Sequence, residues 1–116
     1  MILEKKAIDR YLNQYVEILK NIFHDKLLKV VLFGSYARGE ARDDSDIDVF
    51  IVIDMDEDTL YDYRDKLLDD TFNFNFDNDI DIQIITMDAP YYNRWKYVEM
   101  LFINIREDGI TYYERK

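Results

Sequence analysis

Residues 30–53 read VVLFGSYARGEARDDSDIDVFIVI, and this segment decides the fold. It contains two apolar runs, residues 30–33 and 49–53, whose β-branched and aromatic side chains predict two buried strands. A polar connection joins the runs, beginning at Gly34-Ser35 and ending at Asp46-Ile47-Asp48. We therefore expect the chemistry of the chain where this connection meets the two strands.

Asp46 and Asp48 are two positions apart at the start of the second strand. Side chains on a strand alternate, so both carboxylates leave the same face, roughly 6–7 Å apart at the backbone. Such a pair repels unless a cation lies between its members, and hard oxygen ligands suit Mg²⁺, with Mn²⁺ as an alternative. A solvated acidic loop explains Asp43 and Asp44, but an unpaired charge entering an apolar strand is costly.

Gly34 and Ser35 end the first strand and precede a short predicted helix over residues 35–39. Bare backbone N–H groups and a hydroxyl at such a place can cradle a phosphate. Arg38 and Arg42 are the nearest cations and either could clamp a triphosphate, although surface salt bridges are the alternative for Arg42. A phosphate cradle facing two carboxylates indicates a metal–nucleotide site for phosphoryl or nucleotidyl transfer.

The order Gly34-Ser35, ten residues, then Asp46-Ile47-Asp48 resembles the Gly-Ser-x10-Asp-x-Asp signature of the DNA polymerase beta nucleotidyltransferase superfamily. The inner residues 36–39 and 44–48 are most similar to the minimal nucleotidyltransferases (MNT), the partners of HEPN proteins. The resemblance implies a small mixed β-sheet flanked by helices. It also implies two Mg²⁺ ions at the aspartates and ATP as the nucleotide donor, with Gly34, Ser35 and Arg38 as its contacts.

A third carboxylate is expected from the same resemblance, because a third Asp on a neighbouring strand completes the metal site in this superfamily. Residues 79–85, DIDIQII, alternate strictly and predict a strand with its acids on one face. Asp81 has isoleucine on both sides and is the better candidate, with Asp79 as the alternative. We therefore expect Asp46, Asp48 and Asp81 to be the catalytic, metal-holding residues.

The remaining pattern predicts an α/β fold with a single domain over residues 1–116. Periodicity predicts helices over residues 2–23, 59–72 and 91–106 and strands over 27–33, 46–53, 79–85 and 110–113. Residues 73–78 are polar and aromatic and are expected to be an irregular connection, while Gly109 is expected to cap the last helix. His24 fits a helix end better than a ligand.

Composition narrows the function classes. The 116 residues carry 25 acidic and 15 basic side chains, for a net charge of −10, and no Cys. The charge argues against direct nucleic-acid binding, and the lack of Cys excludes disulfides and zinc–thiolate sites. No apolar run is long enough for a bilayer and no signal peptide is recognisable, so we expect a cytoplasmic protein with no membrane contact.

The resemblance implies an antitoxin that transfers AMP from ATP to a tyrosine of a partner HEPN toxin. A non-catalytic antitoxin that neutralises by binding is one alternative. A nucleotidyltransferase acting on a small molecule, in a cleft built by a homo-oligomer, is another. The nucleotide preference, the number of nucleotides transferred and the oligomeric state stay open at this point.

Overall fold

The chain folds into a four-stranded sheet with helices on both faces. A computed structural model describes residues 2–115. The helices are α1 (Lys5–Phe23), α2 (Gly34–Arg38), α3 (Glu57–Asp62), α4 (Arg64–Asn78), α5 (Ala89–Trp95) and α6 (Met100–Asp108). The strands are β1 (Leu27–Phe33), β2 (Ile47–Ile53), β3 (Ile82–Asp88) and β4 (Ile110–Glu114). No helix among residues 2–115 has the length and apolarity that crossing a membrane requires.

The sheet is mixed, in the order β3-β2-β1-β4. β1 pairs antiparallel with β2 and β4, whereas β2 pairs parallel with β3. A parallel pair needs a crossover connection, which α3 and α4 supply here. The small mixed sheet flanked by helices confirms the expected fold class, and β4 confirms the predicted last strand, which lies at the edge of the sheet.

The strand β2 divides the core into two layers. Ile47, Val49 and Ile51 pack in the larger cluster, with α1 and α4. Phe50 and Val52 pack on the other face with residues of α5 and α6. Alternation puts Asp46 and Asp48 on the Phe50 face, at the end of the sheet where β2 begins.

The helix α1 packs its apolar side chains at three- and four-residue spacing, as predicted. It begins at Lys5 rather than at residue 2. Its one deeply buried hydroxyl, that of Tyr15, shares a 2.6 Å hydrogen bond with the hydroxyl of Thr71 on α4. Burial raises the pKa of Tyr15 to about 12, so this link between the two helices stays neutral.

The strand predicted over residues 79–85 begins three residues later in the structure. Asp79 ends α4 in the left-handed conformation, with φ 52°, and Ile80 donates its N–H to the carbonyl of Asn75. The chain therefore needs residues 79–81 to leave the helix, and β3 runs over Ile82–Asp88.

The predicted irregular connection over residues 73–78 is wrong, because α4 continues to Asn78. Phe74 holds this turn by packing against the rings of Tyr11 and Tyr15. The side chain of Asn78 also donates to the carbonyl of Phe74 at 2.8 Å. The alternation of Asn and Phe therefore belongs to a helix whose aromatic residues point to different sides.

Two predicted helices are divided in the structure. The helix expected over residues 59–72 begins early, at Glu57, because Asp56 accepts a 2.7 Å hydrogen bond from the N–H of Thr59. Tyr63 then separates α3 from α4. The helix expected over residues 91–106 begins at Ala89 and is divided because Glu99 is extended, with ψ 124°.

Gly109 caps α6 as predicted, and its N–H donates to the carbonyl of Ile105 at 2.8 Å, although its φ of −71° lies outside the left-handed region. A Cβ at Gly109 would lie 2.3 Å from the carbonyl oxygen of Ile105 and 2.5 Å from Cγ1 of Val31. The glycine is needed because the end of α6 packs directly onto β1.

Replacing Tyr15 by Phe should lower the free energy of unfolding by about 1–2 kcal/mol, because the buried hydroxyl of Thr71 then loses its partner. Thr71→Val should have a similar cost. The double variant removes both hydroxyls and should cost clearly less than the sum of the two single changes. Urea unfolding of the three variants measures this, and strictly additive costs would contradict the assigned bond.

Candidate active site

The turn after β1 and the start of β2 meet at Gly34. Antiparallel pairing sets Phe33 opposite Asp48, and Gly34 follows with φ +74°, in the left-handed region. A Cβ at Gly34 would lie 2.3 Å from Oδ2 of Asp48. The carboxylate of Asp48 thus occupies the space that a side chain at position 34 would fill. Glycine is required here both for its backbone conformation and for this close approach.

Asp46 and Asp81 meet where β2 and β3 begin. The N–H of Ile47 donates to the carbonyl of Asp81 at 2.9 Å, which aligns the residues that precede the two strands. The carboxyl groups of Asp46 and Asp81 come within hydrogen-bonding distance of each other. Asp79 instead ends α4, so the parallel register brings the expected third carboxylate, Asp81, to the pair.

Crowding of acidic groups raises the pKa values of Asp46 and Asp48. The pKa of Asp46 is raised, first by its hydrogen bond to Asp81, then by burial and by the negative charges of Asp81, Asp48 and Asp44. The pKa of Asp48 is raised chiefly by burial, with a further contribution from Asp81, while the charge of Arg38 acts in the opposite direction. The electrostatics therefore place Asp46, Asp48 and Asp81 in one interacting group.

The charge of Arg38 acts to lower the pKa of Asp48, but the guanidinium of Arg38 already forms an ion pair with another residue. Its Nε donates to Glu40 at 2.7 Å, and 46% of its side chain is exposed. This ion pair uses one face of the guanidinium and still allows movement of the side chain. Glu40 is thus the partner of Arg38 rather than of Arg42.

The connection from α2 to Asp46 is held by local hydrogen bonds. The N–H of Glu40 donates to the carbonyl of Ser35 at 2.9 Å. The N–H of Arg42 donates to Oγ of Ser45 at 2.7 Å, and the N–H of Ser45 returns a 3.0 Å bond to the carbonyl of Arg42. The turn over residues 42–45 therefore fixes the direction in which the chain enters Asp46.

Two residues of this region were not anticipated as contributors. The amide of Gln83 donates to Oδ1 of Asp81 at 2.6 Å and so orients that carboxyl. Strand alternation could have indicated Gln83, since it shares a face with Asp81. Asn75 bonds both peptide groups of Ile82, at 3.1 and 2.9 Å. No sequence signal pointed to Asn75, because its segment was expected to be irregular.

The carboxylate oxygens of Asp46, Asp48 and Asp81 suit a hard divalent cation, although these side chains are not arranged as a complete metal site. Within residues 2–115, no three carboxylate, imidazole or thiolate groups converge at the spacing of a formed metal site. Asp46 and Asp81 instead lie side by side, and their contact is the largest cause of the raised pKa of Asp46. A dication between the acids would offset the repulsion that raises the pKa values of Asp46 and Asp48.

A cavity of about 340 Å³ adjoins Asp81 and is large enough for part of a small ligand. Its polar wall consists of Asp43, Ser45, Asp79 and Asp81, and Tyr36 closes one side. Three of these four polar residues are acidic. Any anion that enters the cavity therefore needs a cation beside it.

Alanine at Gly34 should cost more stability than alanine at Gly39, although both glycines have φ +74°. Each change forces alanine into the left-handed region at about 1–2 kcal/mol. A Cβ at position 39 would have no atom within 4 Å, whereas a Cβ at position 34 would lie 2.3 Å from Asp48. Urea unfolding should show an additional loss of about 1 kcal/mol or more for Gly34→Ala. Equal losses would contradict the contact with Asp48.

Asp81→Asn should make the folded protein more stable at neutral pH. Because the pKa of Asp46 is raised from the ordinary 3.8, the native state binds more protons than the unfolded state above about pH 4. The free energy of unfolding consequently falls as the pH rises through the raised pKa. Removing the Asp81 charge should make this fall shallower, as measured by urea unfolding between about pH 4 and 7. Asp79→Asn is the control, and a slope unchanged by Asp81→Asn would contradict the coupling.

Comparison with known families matches residues 13–100 to the family described as Polymerase beta, Nucleotidyltransferase. A Methanocaldococcus jannaschii protein, provisionally named a protein adenylyltransferase, is 45% identical over 65 residues, which is 56% of this chain and 61% of that protein. A second protein of the same organism and name is 36% identical over 50 residues, or 43% and 34% of the two chains. These alignments span less than two thirds of either relative.

Solved structures share the fold. A protein of Sulfolobus solfataricus, provisionally named a nucleotidyltransferase, has a TM-score of 0.60 and 24% identity, over 99% of this chain and 93% of its own. A chain from a mutant MntA–HpeT toxin–antitoxin complex has a TM-score of 0.53 and 14% identity, over 90% and 74%. A chain from a toxin–antitoxin complex with AMP-PNP has a TM-score of 0.52 and 16% identity, over 90% and 74%. At these identities the likeness concerns the fold alone. Because the family match extends over residues 13–100, the chain belongs to the polymerase beta nucleotidyltransferase family.

Proposed function

We propose that this protein transfers AMP from ATP, with Mg²⁺, to a tyrosine of a HEPN toxin and thereby acts as its antitoxin. The observation that carries the proposal is the meeting of Asp46, Asp48 and Asp81 beside the glycine turn at Gly34. The family supplies the reaction class. The names of the relatives and of the solved toxin–antitoxin complexes support the choice of a protein acceptor.

Each end of the site has a separate task. Gly34 and Ser35 would receive the triphosphate with their backbone N–H groups and the Ser35 hydroxyl. Arg38 would leave Glu40 and contact a phosphate, an exchange that its exposed position allows. The raised pKa values of Asp46 and Asp48 match a place built to receive positive charge.

Asp46, Asp48 and Asp81 would hold Mg²⁺, and Mn²⁺ has the same ligand preference. When bound, the metal would neutralise phosphate charge and lower the pKa of the acceptor hydroxyl. The amide of Gln83 would keep the carboxyl of Asp81 oriented, since it donates to one of its oxygens at 2.6 Å.

The reaction needs no protein nucleophile. The tyrosine oxygen would form a bond to the α-phosphorus of ATP while the bond to the pyrophosphate oxygen breaks, and the hydroxyl proton would pass to a carboxylate oxygen of Asp81. Such a displacement depends on positioning and on charge compensation. The composition is compatible with this scheme, because the chain has no Cys and only one His.

A second candidate is an antitoxin that neutralises by binding alone. The observation in its favour is that Asp46 and Asp81 contact each other and that Arg38 pairs with Glu40, so these four side chains already have partners within the chain. The two candidates differ in whether the partner acquires AMP.

Asp81→Asn should reduce AMP transfer by about 100-fold or more, because it removes one of the three carboxylates, whereas Asp79→Asn should stay near the wild-type rate. Transfer of label from α-³²P-ATP to a purified HEPN toxin, the proposed acceptor, measures both rates, with Mg²⁺ and with EDTA. Asn tolerates the left-handed conformation of position 79, so this control is mild.

Loss of transfer in Asp79→Asn with full activity in Asp81→Asn would assign the third carboxylate to Asp79. A wild-type protein that silences the partner without labelling it would support neutralisation by binding.

A further inference from the structure

The strand β3 lies at one edge of the sheet, and every second residue of β3 directs its peptide groups away from the sheet. The bond from Ile47 N–H to the Asp81 carbonyl fixes the pattern of the parallel ladder. Residues 81, 83, 85 and 87 direct their peptide groups to β2, so those of residues 82, 84 and 86 point outwards. An open row of this kind is a template for another extended chain.

The first outward position is already occupied by a side chain. Asn75 donates to the carbonyl of Ile82 and accepts from its N–H, as a neighbouring strand would. The open row therefore starts at Ile84 and continues at Thr86. No peptide or side chain of residues 2–115 outside β2 bonds these two residues.

An apolar groove follows this open row. Its volume is about 530 Å³, and Leu60, Leu67 and Leu68 line one side while Met87 and Tyr91 line the other. Leu68 is 42% exposed and Tyr91 is 41% exposed. We call this depression, together with the outward peptide groups of Ile84 and Thr86, the edge groove.

The opposite edge of the sheet, formed by β4, is less suited to pairing with another chain. β4 has five residues, and its register with β1 shifts between Val30 and Val31. Such irregularities twist an edge away from further pairing. The edge groove is thus the better place for a peptide to join the sheet.

We propose that the edge groove binds an extended segment of the acceptor protein, which pairs with Ile84 and Thr86 as a fifth strand. This inference rests on the proposed function, because the occupant is the protein that receives AMP. Unpaired peptide groups select an extended backbone, and the leucine and tyrosine walls select apolar side chains at alternate positions. Glu57 and Asp88 outnumber Arg64 among the charged residues of the groove, which favours basic residues in the segment.

Charge argues against a second copy of this chain as the occupant. Two copies in which Ile84 of one pairs with Thr86 of the other are related about Ile85, which sets Asp88 of each copy across from Ile82 of the other, beside Asp81. This arrangement adds facing acids to two chains that each carry a net charge of −10.

The position of the edge groove explains what such docking would achieve. Ile84 lies three residues from Asp81, or about 10 Å along the strand. Since Asn75 blocks pairing at Ile82, a docked segment has to leave the edge there. Its next residues then lie beside the carboxylates, where a tyrosine hydroxyl is needed.

Thr86→Pro tests the proposal, with Thr86→Val as its control. Proline removes the outward N–H of Thr86 but no bond of the ladder to β2, and proline is tolerated at such edge positions. We expect Thr86→Pro to weaken binding of the proposed HEPN acceptor by about tenfold or more, and Thr86→Val by less than about twofold. In the wild-type complex, the amides of Ile84 and Thr86 should become protected from hydrogen exchange.

Leu68→Asp provides an independent test if proline prevents folding. It changes the groove wall, whereas Phe72→Asp changes an exposed residue of the same helix outside the groove. Only Leu68→Asp should weaken partner binding by about tenfold. Thermal unfolding verifies that each variant is folded.

The outcomes separate docking from catalysis. Normal binding by folded Thr86→Pro and Leu68→Asp overturns the proposal, and AMP transfer by the wild type would then leave the proposed function intact. Loss of binding in both variants, without transfer by the wild type, supports the edge groove and contradicts catalysis. Conversion of a self-dimer to a monomer with unchanged partner binding assigns the groove to a second copy and overturns the proposal.

Discussion

The hydrogen bond from the N–H of Ile47 to the carbonyl of Asp81 is the contact on which the site depends. It begins the parallel pairing of β2 with β3, and this register sets Asp46 beside Asp81. The antiparallel pairing of β1 with β2 then sets Asp48 beside Gly34. Two strand registers therefore bring four residues together from three segments of the chain. A shift of one residue in either register would turn the carboxylates to opposite faces.

The sheet supports a site that by itself opposes folding. The carboxylates of Asp46, Asp48 and Asp81 interact electrostatically, and the raised pKa values of Asp46 and Asp48 record the cost of keeping these two side chains charged. The adjoining strand residues, from Val49 to Ile53, are almost completely buried, in two apolar layers. Burial of this strand offsets local repulsion, which is the usual relation between a functional site and the scaffold that holds it.

The sequence was most informative where spacing carries chemistry. The helices and strands followed largely from the pattern of apolar residues, and the mixed sheet followed from the family resemblance. The placement of Asp46, Asp48 and Gly34 in one region followed from the short connection that joins the two strands. Their roles remain predictions. The boundaries of β3 and α4 were wrong because Asp79 turns the chain in a left-handed conformation, which a pattern of alternating isoleucines does not reveal. Asn75 was not predicted for the same reason. Its side chain bonds the peptide groups of Ile82 as a neighbouring strand would, and this role can be recognised only once residue 75 is known to lie in α4.

Both proposals meet at the start of β3, where Asp81 would serve the reaction and Asn75 limits how far a docked segment can pair. The proposed reaction depends on the metal site. The most direct measurement is a crystal structure with Mg²⁺ and a non-hydrolysable ATP analogue. We predict Mg²⁺ in contact with carboxylate oxygens of Asp46, Asp48 and Asp81, and the analogue's phosphates at Gly34 and Ser35. Mg²⁺ bound elsewhere, with Asp46 and Asp81 still hydrogen-bonded to each other, would contradict the proposed metal site and the reaction that depends on it.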